Sequence, residues 1–559
     1  MRAAWLQFVL VGSAVGFIAG CGGQSASGDI GAGGPAPGLP SGSAPGPGGG
    51  NSPIQPSPGA TGSGGSSGAG GAAGASAVAP GSPPAGSGSF GSVGIGGGQD
   101  FGAFRRALNG GLIPATSTLD AAGFFAEHFT SLPPPTCGKT FCLHGMLSVS
   151  PDMVRGGRWT LLQMGMNSPI DPATVTKPPL ALAVVVDRSG SMAAAGKMDY
   201  AKQGLKLLVN ALSEGDTFTL IAFDDQIQTL FGPAHVSNKA SLIAIVDALQ
   251  PRGSTNIYGG LEAGYKAAIS TGDETQQRRV IFLTDGLPTV GITDPTQIKA
   301  MSAGYNERYI GLTTIGLGTD VDAGLLRNLS EQGGGNFYFA EKPEAVQEVF
   351  TEELAFFVAP IAYDLELRIN ELPAYTLKQV LGTNLWRAEN GGGRVRIPSV
   401  FLVSRTSTKP GANGGRRGGG SAIMAELAPT PTLPAAGLCN VAALQLSYRL
   451  PGSSTIETQT ADIGYDVGTV AGGDTAAYYS SRDIEKNTII LALFTALRDA
   501  TARAQNDPRG ARDLLVTFQP KFKARIAGWA DDDLIDDIVI LQQYIDVLGN
   551  IRGVGPVGP

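Results

Sequence analysis

The chain has 559 residues, too many for one domain and enough for two or three with cores of their own. Only 16% of them are charged, and the net charge of −7 is spread along the chain. No basic stripe or basic–aromatic interleaving stands out, which argues against nucleic acid as a partner.

The first segment, residues 1–21, reads as a targeting signal. Arg2 precedes an apolar stretch from Ala3 to Ala19, interrupted only by Gln7, Gly and Ser. It is too short and glycine-rich for a membrane span, and it ends in Ile18-Ala19-Gly20-Cys21. That ending resembles the bacterial lipobox, which implies that Cys21 carries acyl chains such as palmitate and becomes the mature N-terminus. A cleaved signal peptide containing a cysteine is the alternative. Gly22-Gly23 in place of Asp resembles lipoproteins sent to an outer membrane. The expected location is the bacterial cell envelope, periplasmic or surface-facing, with the lipid as the only membrane contact.

Residues 22–99 are rich in Gly, Ser, Pro and Ala and are expected to be a disordered tether, because they cannot bury enough apolar surface. A flexible coil of about 75 residues would span roughly 45–50 Å. Residues 100–177 read as a β-containing lead-in segment, with a helix over Phe101–Leu108 and strands over Thr140–Val149 and Trp159–Met166. Cys137 and Cys142 are spaced to close a small disulfide loop, consistent with export. A zinc site is disfavoured, since only His144 is near and no second cysteine pair exists. Cys439 is left over.

From residue 178 to 357 strand and helix patterns alternate as in a doubly wound, mostly parallel α/β sheet. Leu180-Ala-Leu-Ala-Val-Val-Val186 has no polar interruption, the mark of a strand covered on both faces. Asp187-Arg-Ser189-Gly-Ser191 follows at once, where open α/β sheets bind ligands. Thr255 lies in the loop Arg252–Ile257, and Asp285 follows the buried strand Arg279–Thr284. Phe337–Phe339 reads as an edge strand and Ala345–Phe357 as the closing helix.

Asp187, Ser189, Ser191, Thr255 and Asp285, in that order, resemble the metal-ion-dependent adhesion site (MIDAS) of von Willebrand factor type A (VWA) domains over about Pro178 to Phe357. Two carboxylates nearly balance a divalent ion, and three hydroxyls add neutral oxygen donors, a hard set suited to Mg2+, with Mn2+ or Ca2+ as alternatives. The resemblance implies an open coordination position that accepts an Asp or Glu of a protein partner. Helix capping is the bland role for Ser189 and Ser191. Asp224-Asp225 reads as a solvated turn, and Tyr258 as a rim or packing residue.

Residues 358–470 shift to a period of two, clearest in Tyr363–Ile369 and Ala442–Leu450, and read as a β-sandwich or small antiparallel sheet. Thr408–Gly420 is expected to be a mobile loop with a solvated Arg416-Arg417 pair. Residues 471–549 read as a helical region, with Asp531–Asp533 as acidic capping, and 550–559 as a disordered tail. The part after the α/β domain resembles the C-terminal part of exported bacterial VWA lipoproteins.

These readings converge on a non-enzymatic envelope lipoprotein that adheres to a protein partner through its metal site. The alternative is a structural or assembly module with a non-essential metal. A Mg-dependent hydrolase ranks last: the only histidines, His128, His144 and His235, flank no nucleophile, and such enzymes usually need a second carboxylate where Ser189 stands.

Overall fold

A computed structural model describes residues 91–550, apart from 95, 100, 129–131, 172–173, 271–275, 319, 341–344, 348, 351–356, 404–421 and 474. Cys21, the tether up to residue 90, the Arg416-Arg417 loop and the tail from 551 lie outside the described residues.

The described chain opens with strands β1 (Gly91–Gly94) and β2 (Gly97–Gly98), helices α1 (Gly102–Asn109) and α2 (Ala121–Ala126), and the hairpin β3 (Cys142–Pro151) and β4 (Arg158–Ser168). An α/β unit follows: β5 (Leu180–Asp187), α3 (Lys197–Ala211), β6 (Thr217–Phe223), β7 (Ile227–His235), α4 (Lys239–Asp247), α5 (Ile257–Ser270), β8 (Gln277–Thr284), α6 (Pro295–Asn306), β9 (Gly311–Leu317), α7 (Ala323–Gln332) and β10 (Asn336–Ala340). Then come β11 (Phe357–Glu371), β12 (Tyr375–Leu381), β13 (Arg387–Glu389), β14 (Gly392–Val403), β15 (Ile423–Pro429), β16 (Leu438–Arg449), β17 (Ile456–Asp466) and β18 (Tyr478–Tyr479). Three helices, Arg482–Ala504, Pro508–Ile526 and Asp532–Asn550, end the described part.

The α/β unit is a seven-stranded sheet in the order β2-β10-β9-β8-β5-β6-β7, parallel except for β7. Its strands are apolar on both faces because helices cover both. Leu182, Val184 and Val186 pack into the layer under α3 and α4, whereas Ala183 and Val185 pack under α5. The fit is close enough that a methyl built on Gly264 of α5 would lie 2.5 Å from Val185 Cγ2.

The remaining strands belong to a second, antiparallel sheet system of eleven strands. It folds as a sandwich: β18-β3-β4-β15-β12 on one side and β13-β14-β11-β16-β17 on the other, with β1 bridging β14 and β4. The α/β unit is thus inserted between β4 and β11. On β3 and β4, Leu147, Val149, Leu162 and Met164 point into the sandwich, while Met146, Trp159 and Leu161 meet the C-terminal helices. Those helices also take up α1 and α2: Phe104 meets Tyr544 edge-on with ring centroids 5.6 Å apart, and Phe124 sits 5.6 Å from Phe494. Among the described residues no helix is long and apolar enough to cross a membrane.

Several boundaries differ from the sequence-based expectation. The tether does not run to Gln99, because β1 and β2 lie within it, and Gly96 just before β2 fits where backbones approach closely: a methyl there would lie 2.5 Å from the Gly335 carbonyl oxygen. Since β2 pairs with β10, Phe337–Phe339 is not an edge strand. The lead-in strands and the 358–470 strands form one sandwich rather than two regions.

The α/β unit is tied to the sandwich by Glu331 at the end of α7, which is 1% exposed. Its carboxylate accepts the Thr383 hydroxyl at 2.6 Å, the Asn384 N–H at 2.9 Å and the Asn384 amide Nδ2 at 2.9 Å. Truncation would take the shared acceptor away from the half-buried Thr383 hydroxyl and from two donors of the exposed Asn384. Glu331→Ala is therefore expected to cost about 1–3 kcal/mol, read from the denaturant midpoint; an unchanged midpoint would mean that water replaces the carboxylate.

Candidate metal site

Asp187 ends β5, and the next amide, Arg188 N–H, donates to the Phe223 carbonyl of β6 at 2.9 Å, so the sheet orients the carboxylate. Asp187 is 0% exposed. Its Oδ1 accepts the Ser189 N–H at 2.7 Å and its Oδ2 the Thr284 hydroxyl at 2.6 Å. These donors aim the group without neutralising it. Burial, reinforced by the charge of Asp285 and opposed by the two donors, pushes its pKa up to about 6.

The other oxygens gather around it. Ser189 Oγ and Ser191 Oγ are hydrogen-bonded at 3.0 Å, and the Ser191 hydroxyl donates to Asp285 Oδ1 at 2.8 Å. Asp285 is also 0% exposed. A methyl built on Gly286 would lie 3.5 Å from Thr255 Oγ1 and 3.8 Å from Ser191 Oγ, so both hydroxyls look onto one spot. The Thr255 loop is clipped to the Asp187 loop by Gly190 N–H to the Gly253 carbonyl at 3.1 Å and Arg252 N–H to the Arg188 carbonyl at 2.6 Å. The structure brings all five predicted residues together. Only Ser191 among them is exposed, which sets the direction of access. Ser189 precedes a 3-10 turn (Gly190–Gly196) but makes no side-chain capping bond, so capping does not account for it.

The donor set fits a hard divalent ion: it is all oxygen, and Asp187 is a buried carboxylate with no basic group hydrogen-bonded to it among the described residues. No cluster of three or more His, Cys, Asp and Glu side chains able to hold a metal occurs among the described residues. A site here therefore depends on the hydroxyls.

The sequence reading missed two groups. Lys197, the first residue of α3, is 8% exposed, and its ammonium donates to Asp285 Oδ2 at 2.8 Å. A lysine at a helix N-terminus opposes the helix dipole, and that mismatch was its one signal. Asp224, expected in a solvated turn, is instead 0% exposed and accepts from Arg188 Nε at 2.8 Å and Arg252 Nε at 2.7 Å. It clamps the two site loops from behind. Two arginines 64 positions apart in the chain conceal this role from local pattern.

Tyr258 packs against the core under α5. Cys137 and Cys142 are joined in a disulfide, and Cys439 is free and buried. The histidines lie elsewhere: His144 Nε2 is 2.7 Å from Asn167 Oδ1, His235 Nδ1 is 3.1 Å from the Asp216 carbonyl, and His128 pairs with Asp537.

Residues 182–287, which hold every residue of this cluster, match the family model of the von Willebrand factor type A domain. The chain carries a VWA domain, set in a larger α/β and antiparallel β architecture with C-terminal helices. It is 29% identical over 195 residues to the uncharacterized protein YfbK of Escherichia coli, covering 35% of this chain and 34% of that protein. It is 31% identical over 247 residues to inter-alpha-trypsin inhibitor heavy chain H1 of Bos taurus, covering 42% of this chain and 27% of that one. The chain thus spans about a third or less of these relatives. Among solved structures, a von Willebrand factor type A protein from Catenulispora acidiphila aligns with 75% of this chain and 91% of its own, at 16% identity and a TM-score of 0.46.

Proposed function

We propose that this chain is a cell-envelope lipoprotein that binds a protein partner through a divalent cation. Asp187, Ser189, Ser191, Thr255 and Asp285 would hold the ion, Mg2+ before Mn2+ or Ca2+. A coordination position open toward Ser191 would accept an Asp or Glu of the partner. The observation that carries the reading is the convergence of Ser189, Ser191, Thr255 and Asp285 beyond the carboxyl ends of β5 and β8 around Asp187, a buried carboxylate with no basic group hydrogen-bonded to it among the described residues. Leu287, 52% exposed just after Asp285, offers an apolar contact at the rim. No enzymatic step belongs to this reading. Envelope location and lipidation rest on Ile18-Ala19-Gly20-Cys21.

The test is calorimetry of Mg2+ and Ca2+ on the full chain beside Asp187→Ala. The full chain is needed because β1 and β2 precede residue 100. Uptake by the wild type that the variant lacks supports the reading and justifies partner capture with and without chelator. No uptake by the wild type, even with a carboxylate such as acetate present, sinks it. Cys21→Ser is expected to move the protein from the membrane to the soluble fraction; retention at the membrane would refute the lipid anchor.

A second reading, a structural or assembly module with a non-essential metal, is favoured by one observation, the Lys197 ammonium already on Asp285. Partner capture that survives chelation would select it.

A further inference from the structure

Among the described residues, Lys197 is the cation hydrogen-bonded to a carboxylate of the cluster. Lys197 Nζ is 2.8 Å from Asp285 Oδ2, and its other acidic neighbour, Asp320 at 3.7 Å, is 77% exposed. The lysine stem reaches this position by passing Gly318, where a methyl would lie 2.9 Å from Lys197 Cε. Gly318 has φ +79°, so both its conformation and its missing side chain suit this path. The ammonium thus stands against one of the two buried carboxylates of the cluster, and the charge left over is that of Asp187.

We infer that Lys197 is a resident counter-ion of this site: it neutralises Asp285 when no divalent cation is bound, and it opposes the entry of that cation. The inference rests on the metal-binding reading and adds a control to it. Without Lys197, two carboxylates and a divalent ion sum to zero charge. With Lys197 the loaded site carries a net charge of about +1. The metal is then held more weakly by the protein alone, and an incoming carboxylate completes both the coordination and the charge balance. Metal and anionic partner would bind with positive coupling, each raising the affinity for the other by the same factor.

Lys197→Met keeps an unbranched apolar stem and removes the charge. On the full chain, Mg2+ alone is expected to bind at least tenfold more tightly than to wild type, and the chelated protein is expected to melt several degrees lower because Asp285 stays buried without its counter-charge. Adding Asp285→Asn to Lys197→Met should restore the chelated melting temperature, since the orphaned charge is gone. The double variant also keeps the test decisive if Lys197→Met alone folds poorly.

An unchanged Mg2+ affinity in Lys197→Met would overturn the inference while leaving the metal reading intact. Weaker Mg2+ binding would do the same, and would make Lys197 a residue that positions Asp285. If neither wild type nor variant bound Mg2+ and only the chelated melting temperature fell, Lys197 would be a structural ion pair, and the metal reading would fail with the inference.

Discussion

Asp187→Asn is expected to weaken Mg2+ binding at least a hundredfold, about 2.7 kcal/mol, while leaving the metal-free protein as stable as wild type or more so. The two effects have one cause. The carboxylate sits at the end of a strand with no exposed atoms, and burial disfavours its charge. In the absence of metal that charge is a liability, which the amide removes without changing shape; the Thr284 hydroxyl and the Ser189 N–H keep an uncharged neighbour. In the presence of metal the same charge supplies half of the carboxylate character of the site. Calorimetry and melting with and without chelator read both sides. A variant that lost metal and also lost metal-free stability would mean that Asp187 is primarily structural.

The second large effect lies far from this site. His128 Nδ1 is 2.6 Å from the Phe124 carbonyl and Nε2 is 2.9 Å from Asp537 Oδ2, with both side chains 3% exposed. Each ring nitrogen faces an acceptor, so the geometry calls for an imidazolium with two donors. Burial pulls the His128 pKa down, but the charge and hydrogen bond of Asp537, the Phe124 carbonyl and Glu127 together outweigh it, and the net direction is up. The pair joins the loop after α2 to the last helix. Asp537→Asn is expected to cost about 3–5 kcal/mol, because it leaves a buried histidine without its counter-charge.

The pH dependence has a definite sign. A folded-state pKa above the unfolded value of 6.5 means that the folded state binds the proton more tightly. The stabilisation is therefore full below about pH 6.5 and is lost as pH rises through the folded-state value. Asp537→Asn should flatten or reverse this trend, since the Asp537 charge is gone while burial, opposed only by the Phe124 carbonyl and Glu127, favours neutral imidazole. Denaturation midpoints between pH 5 and 8 for both proteins check the point. A flat difference across that range would mean that the histidine is neutral in the fold.

The α/β domain and the metal-site candidates were legible in the sequence for a local reason. A strand covered on both faces shows itself as Leu180–Val186 without a polar break, and the chain direction places Asp187, and likewise Asp285, at strand ends. The alternation of strand and helix patterns over 178–357 and the helical reading of 471–549 rest on periodicity in the same way, and in the structure Asp294 caps α6 by accepting the Thr296 N–H. All of this depends on residues within one or two turns of each other.

What the tertiary structure alone decided depends on pairing across the chain. Composition assigns Gly91–Gly98 to the tether, yet β1 closes the sandwich and β2 extends the parallel sheet beyond β10. Backbone hydrogen bonds supply that order, and they leave no side-chain pattern in a run of glycines. The sandwich draws its strands from both sides of an inserted domain, so neither half carries enough periodicity to reveal the whole. Asp224 between two arginines, Lys197 on Asp285, and His128 on Asp537 across 409 positions are charges that the interior tolerates only in company. Local pattern shows where a charge is; only the packed structure shows what faces it.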